Sequence, residues 1–425
     1  MRAALARWLP AGSFARNVGV LTGGTAFAQG LAVLALPLLT RLYAPEDFAL
    51  LAVYVAIIGI ATVVSCLRYN IAIPLPEDDA DGMALLAVAL IAATGISALL
   101  ALPVLLAPAR TAALLGQPGL APYLWMVPLG VFLASAYNAL QYWASRKKRF
   151  GLVTRTRMTR AVGGIGTQAA IGAAAPSPFG LVFGHMLYGG LGVVGLARDL
   201  WRQDRAILRR MEGLRIVGIA SVFRRFPTWS VPEALFNTAG VQVPVILIAA
   251  AAAGPEAGFL MLAMRVMGLP MGLIGSSVAQ VFIAEAPARL RDGTLAAFTR
   301  STMWTLFRTG APPLVAVGAL SPLLFPLVFG AEWARAGWLV AWMTPWFVLQ
   351  FVASPVSMVL HVTGRVALAM GLQAFGLLLR VGPVLAVASA VPERLSEVYA
   401  LTGAVFYGVY LAVICLLHTR QGDEN

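Results

Sequence analysis

Apolar runs of more than 18 residues recur along the whole chain, separated by short polar turns. Runs of that length predict helices that cross a membrane. The stretch from Arg224 to Pro287 is the most informative: two long apolar segments flank the tight turn Gly254-Pro255-Glu256-Ala257-Gly258. The first segment carries Pro232 and Pro244, and the second carries Pro270 flanked by Gly268, Gly272 and Gly275. Proline and glycine free backbone groups inside a membrane helix. Such breaks are tolerated where neighbouring helices or a water-filled cavity satisfy those groups, and they often mark a path for a solute.

The run pattern predicts an all-α polytopic fold of about twelve spans, near 18–40, 48–73, 83–107, 121–145, 159–176, 179–197, 227–253, 257–283, 302–328, 336–360, 366–389 and 397–417. The layout repeats. Arg41-Leu42-Tyr43 precedes a turn at Pro45-Glu46-Asp47-Phe48 and a run to Ile71-Ala72; in the second half, Pro255-Glu256-Ala257-Gly258-Phe259 leads to Ile283-Ala284. An offset of about 210 residues predicts a duplicated protein of two six-helix lobes, 1–200 and 226–425, joined by a basic linker at 201–225.

Composition agrees: 60% of residues are hydrophobic and only 12% charged, against about 25% in soluble domains. The net charge of +13 sits mostly in loops. Arg146, Lys147, Lys148, Arg149, Arg155, Arg157 and Arg160 follow the fourth run; Arg198, Arg202, Arg205, Arg209, Arg210, Arg215, Arg224 and Arg225 follow the sixth. The alternate loops hold only Arg41, Arg110, Arg335 and Arg394. This asymmetry predicts cytoplasmic N and C termini rather than a nucleic-acid partner. The basic segment 1–16 and the amphipathic stretch 198–225 suit a membrane surface. Ala26-Phe27-Ala28 has the form of a cleavage site, but the run continues to Leu39, which favours a retained span. The acidic run Glu77-Asp78-Asp79-Ala80-Asp81 takes no role from the sequence.

Chemistry for catalysis is sparse. Cys66 and Cys415 lie in apolar runs, and neither they nor His185, His361 and His418 have metal-ligand spacing. There is no phosphate-binding glycine loop or nucleophile elbow, and the outer loops are short, so neither an enzyme nor a cofactor is expected. Charges at membrane depth are expensive and should face a cavity or a partner. Arg265 and Arg380 are the deepest cations, and Arg68 lies toward one end of its span. Glu233, on a face with Ser230 and Asn237, either pairs with an arginine or carries a proton. Gln29, Gln242, Gln280 and Gln373 are neutral polar groups in the spans, suited to sugar hydroxyls or to bonds between helices. The excess of buried cations suits an anionic substrate such as a phosphate or pyrophosphate, whose oxygens a guanidinium binds in pairs.

Pro37-Leu38-Leu39-Thr40-Arg41-Leu42-Tyr43-Ala44-Pro45-Glu46-Asp47-Phe48, Leu67-Arg68-Tyr69-Asn70-Ile71-Ala72-Ile73-Pro74-Leu75-Pro76, Ala263-Met264-Arg265-Val266-Met267-Gly268-Leu269-Pro270 and Val278-Ala279-Gln280-Val281-Phe282 resemble segments of bacterial oligosaccharide (O-antigen type) flippases. These belong to the multidrug/oligosaccharidyl-lipid/polysaccharide exporter superfamily. The resemblance implies two six-helix lobes around a cationic cavity in the bacterial inner membrane. It also implies alternating access that moves a polyprenyl-pyrophosphate-linked oligosaccharide between leaflets, with membrane lipids, a polymerase and other polysaccharide-assembly proteins as partners. Arg41, Arg68 and Arg265 match recurring family positions. Two other readings stand beside it: an integral-membrane polysaccharide polymerase or ligase, and a drug/cation antiporter of the same superfamily.

Overall fold

A computed structural model describes residues 13–209, 213–252 and 254–422. The basic segment expected at the N terminus falls largely outside them, as does Arg210. The described residues form helices and turns with no strand. In chain order the principal helices are α1 (Ser13–Leu34), α2 (Pro45–Ser65), α3 (Asp79–Leu106), α4 (Met126–Arg146), α5 (Phe150–Ala174), α6 (Pro178–Gln203) and α7 (Gly213–Val222). They continue as α8 (Val231–Ala251), α9 (Glu256–Met267), α10 (Ser276–Arg291), α11 (Leu295–Phe329), α12 (Ala334–Val356), α13 (Val366–Val387) and α14 (Leu395–Gly422).

Ten helical stretches among the described residues are long and apolar enough to cross a membrane. The other two expected spans are also helices, α4 of 21 and α5 of 25 residues. Helix α5 starts at Phe150, earlier than its apolar run, so Arg155, Arg157 and Arg160 lie in its opening turns rather than in a loop. Tertiary contacts explain the extension: Arg160 stacks on the rings of Tyr137 and Tyr188, 3.7 and 4.9 Å from their centroids, and Arg157 donates to Thr25 at 2.7 Å. The segments rich in proline and glycine differ from each other. Helix α8 runs unbroken through Pro244 and is preceded by a π-helical turn at Phe226–Ser230. Its successor is interrupted: α9 ends before Gly268-Leu269-Pro270, a π-helical turn spans Met271–Gly275, and α10 follows. Such turns arise where the regular ladder is disturbed and are frequent at functional sites.

The chain divides into two compact units. Unit 1 is Met1–Ala35, Ala61–Leu106 and Tyr123–Val231; unit 2 is Leu36–Ile60, Ala107–Pro122 and Pro232–Asn425. This grouping departs from the halves expected from the sequence, because Leu36–Ile60 and Ala107–Pro122 count with the C-terminal helices. Close packing within unit 2 is the reason. A side chain on Gly258 would begin 2.1 Å from the carbonyl oxygen of Pro45, and one on Gly116 would begin 2.2 Å from the Cα of Ala250. The Trp333 indole donates to the carbonyl of Thr40 at 3.1 Å and meets Phe48 and Phe259 edge-on. The two copies of the repeated turn, at Pro45 and Gly258, thus pack directly on each other.

Unit 1 gathers its core around Met83, Ala89, Tyr137 and Trp143. The linker is partly recruited to this unit. Ile219 of α7 joins its core, and Tyr69 donates to the carbonyl of Ala220 at 3.0 Å, while Val217 and Val222 stay exposed. In unit 2, α12 is the most enclosed helix, with Trp346 and Phe351 buried. Gly310 and Gly318 of α11 receive Phe351 and Thr344, and Gly403 of α14 receives Trp346.

Candidate functional site

Among the expected site residues, Gln29 and Arg68 belong to unit 1, and Arg41, Glu233, Asn237, Gln242, Arg265, Gln280, Gln373 and Arg380 belong to unit 2. Arg68 is half-buried and, like Leu67 before it, has a left-handed backbone (φ 62° and 47°). Two successive non-glycine residues in this region store strain, a feature that clusters at functional sites. Gln29 is half-buried, and Arg41 and Gln280 are exposed. Arg265 is half-buried in the last turn of α9, directly before the break at Gly268-Leu269-Pro270. Gln242 of α8 lies against Gly59.

Arg380 is the most enclosed of these groups. It is 1% exposed, and its guanidinium lies 4.2 Å from the ring centre of Phe406, 5.4 Å from Tyr407 and 5.7 Å from Trp346. Its Nε and Nη2 have no hydrogen-bond partner among the described residues. Glycines make this cage possible: Gly376 admits Phe406 one turn before Arg380, and Gly240 of α8 leaves room beside Nη1. Ring faces attract the cation by about 2 kcal/mol when it is desolvated, which offsets only part of the cost of burial. Arg380 therefore sits in an aromatic cage.

Glu233 is paired, but with a histidine where the sequence suggested an arginine. His361 Nε2 lies 3.0 Å from Glu233 Oε1, and His361 Nδ1 is buried with no hydrogen-bond partner among the described residues. Tyr410 interacts with Glu233 and hydrogen-bonds with Ser357. Asn237, expected on the same face, is exposed. Two turns further along α8, Gly240 faces Arg380, so one helix lines both groups.

Unit 1 handles charge differently. Arg149 binds Asp199 and Asp204 at 2.7 Å, and Asp204, only 3% exposed, also accepts from the Trp143 indole at 2.8 Å. Burial alone pushes Arg149 down, but the bonds and charges of Asp204 and Asp199 outweigh it and leave its pKa raised. The acidic run now has a role. Asp79 binds Arg146 and Lys147, while Asp78 and Asp81 bind Arg215 of α7. Arg146 also donates to the carbonyls of Ile73, Pro76 and Glu77. The Ala80 amide, then Arg215, hold the Asp78 carboxyl below its ordinary range. The basic loops thus also clamp the acidic run and the linker to unit 1.

Three features escaped the sequence reading: His361 as the partner of Glu233, Arg308 within the ninth span, and a pocket of about 800 Å³ in unit 2. In that pocket Arg335 bridges Glu256 (3.0 Å) and Glu397 (2.6 Å), with Glu393, Arg394 and Trp342 alongside. Only the fact that Glu256, Arg335 and Glu397 all flank predicted outer turns could have hinted at it.

With ten helices long and apolar enough to cross a membrane and no strand among the described residues, the chain is a multi-pass membrane protein. The chain is similar to an inward-facing multidrug resistance MATE family transporter of the MOP superfamily, at 14% identity and TM-score 0.57, covering 95% of this chain and 96% of that one. It is also similar to a eukaryotic MATE transporter, AtDTX14, at 13% identity and TM-score 0.58, covering 96% and 97%. A mutant of the Vibrio cholerae MATE transporter VcmN matches at 11% identity and TM-score 0.56, covering 96% of each chain. Identities this low establish the fold alone. No curated protein sequence matches the chain. Residues 38–337 match the family described as polysaccharide biosynthesis protein, and the chain belongs to that family.

Proposed function

We propose that the chain is a flippase of the bacterial inner membrane. It carries a polyprenyl-pyrophosphate-linked oligosaccharide, the repeat unit of a polysaccharide, between leaflets by alternating access. The family supplies the polysaccharide and the fold supplies transport. The observation that carries the anionic cargo is Arg380, a buried cation among rings with no ion pair to a carboxylate among the described residues. Arg265, at the end of the interrupted helix, is the second cation of the path. Glu233 and His361 form a pair able to hold or release a proton as its surroundings change, which suits coupling to a proton gradient. Polymerase and other assembly proteins are the expected partners.

The test is transport by the purified protein in liposomes, with a fluorescent polyprenyl-pyrophosphate oligosaccharide in one leaflet, with and without a pH gradient. Protein-dependent movement supports the reading. Arg265→Ala and Arg380→Ala should abolish it without loss of insertion, and Arg265→Lys should restore it only in part, because lysine keeps charge but loses the paired donors. Wild-type transport in both alanine variants would overturn the cationic path. Transport of cationic drugs in place of the glycolipid would move the protein to the antiporter branch of its superfamily.

A further inference from the structure

Helix α11 is longer than a membrane requires. Its 35 residues span about 52 Å at 1.5 Å per residue, against a hydrocarbon core of about 30 Å. The polar residues show where the excess lies. Arg300, Ser301, Thr302, Thr305, Arg308 and Thr309 crowd the first half, whereas Val315, Leu320, Leu323 and Leu327 present an exposed apolar face in the second. The helix from Thr309 to its end is about 31 Å long, so Arg308 falls where the polar half meets the hydrocarbon. Loop charge predicts that this is the cytoplasmic boundary.

A groove of about 720 Å³ opens at this level, within the range of small-molecule sites, roughly 300–1,000 Å³. Trp304, Arg308, Ala311, Val315 and Ala319 follow one another along it at steps of three and four, a single stripe of the helix. Trp304 and Phe307, stacked at 6.0 Å, wall the end that holds Arg308, and Trp304 is 64% exposed. Arg308 is the only charged residue among the described residues of the lining. It makes no hydrogen bond or ion pair among the described residues. Ala311, Pro312, Ala316 and Ala319 give the groove a floor of small, apolar side chains.

We propose that this groove binds the polyisoprenyl phosphate end of the cargo at the cytoplasmic leaflet: the phosphate meets Arg308 and the first isoprene units lie along Ala311–Ala319. This rests on the flippase reading. Arg308 at the end of an apolar floor matches a phosphate at the end of an apolar chain. An aromatic pair at headgroup depth suits the junction of polar and apolar parts.

The experiment uses the full-length protein in nanodiscs of phosphatidylethanolamine and phosphatidylglycerol. The probe is undecaprenyl phosphate with a photoreactive group on its phosphate-proximal isoprene. Labelling should map to the peptide around Trp304–Ala319, fall roughly tenfold in Arg308→Ala, as loss of a charged hydrogen bond implies, and recover in part in Arg308→Lys. Filling the groove in Ala319→Trp should abolish labelling while the thermal unfolding midpoint holds, since Ala319 is exposed. Equal labelling in wild type and Arg308→Ala, or displacement by added phosphatidylglycerol as efficient as by unlabelled undecaprenyl phosphate, would overturn the proposal. The two readings separate cleanly. Transport without groove labelling removes the groove and leaves the flippase, while groove labelling without transport of any lipid-linked glycan removes the flippase and leaves a polyisoprenyl phosphate site.

Discussion

Arg149 and Arg380 are both cations largely withdrawn from solvent, and the two units treat them in opposite ways. In unit 1, Arg149 is held by two carboxylates, one of them also fixed by an indole. In unit 2, Arg380 has rings on several sides and no ion pair with an acid among the described residues. A guanidinium already neutralised at 2.7 Å has little attraction left for a passing anion. One held by the quadrupoles of rings keeps its net charge. The same residue type is therefore a structural clamp in one unit and a candidate ligand in the other. Position along the chain would not tell them apart; the partners do.

The largest expected effect is on the clamp. Asp204→Ala leaves Arg149 short of a partner and orphans the Trp143 indole N–H, and breaking a buried pair on one side costs about 3–5 kcal/mol. Thermal unfolding in detergent should show a loss of that size. A loss under about 1 kcal/mol would mean that Asp199 suffices and the contrast is overstated. Arg380→Met should behave in the opposite sense. Losing roughly 2 kcal/mol of ring attraction is offset by relief of a desolvated charge, where apolar replacement is often neutral or favourable by about 1–4 kcal/mol. Stability should stay within about 2 kcal/mol of wild type while glycolipid transport disappears. If Arg380→Met unfolds the protein as Asp204→Ala does, Arg380 is a structural element like Arg149.

Much of this contrast was out of reach of the sequence. Apolar runs and loop charge are local signals, and they located the spans, the turns at Pro45 and Pro255 and the interruption near Pro270. Arg155, Arg157 and Arg160 read as loop residues because an apolar window penalises arginine. Their helix is held by Tyr137, Tyr188 and Thr25, which no window around them contains. Glu233 stood out as an acid at membrane depth, yet its partner lies 128 residues away. The acidic run looked anomalous in a basic loop until Arg146, Lys147 and Arg215 converged on it. The grouping of Leu36–Ile60 with the C-terminal helices depends on Gly258 meeting Pro45. A glycine in a membrane helix signals close approach, but it does not say to what.

A second contrast, between the paired acids of the two units, predicts a smaller effect. Asp204 binds an arginine, whereas Glu233 binds a histidine. Glu233→Gln keeps the shape and a hydrogen bond to His361 but cannot exchange a proton. Transport driven by a pH gradient should fall several-fold toward the rate without a gradient, with glycolipid binding retained. An unchanged response to the gradient would make the pair structural, a polar tie between helices.

The smallest effect belongs to the exposed part of the unit 1 clamp. Asp78 is held below its ordinary range by the Ala80 amide and Arg215, so folding favours its charged form. That contribution is complete above the ordinary carboxylate value near about 4 and is lost as pH falls through the lowered one; the raised value of Arg215 removes its titration to strongly alkaline pH. Docking of α7 should therefore be insensitive to pH from about 6 to 8 and loosen only in acid. Hydrogen exchange of the Gly213–Val222 amides reads this directly. Asp78→Asn should raise exchange at neutral pH toward the acid level of the wild type, and modestly, because Asp81 still binds Arg215 and Ile219 still fills the core. Protection in the wild type that stays flat down to pH about 3 would show that apolar contacts alone hold the linker, and that the acidic run clamps only Arg146 and Lys147.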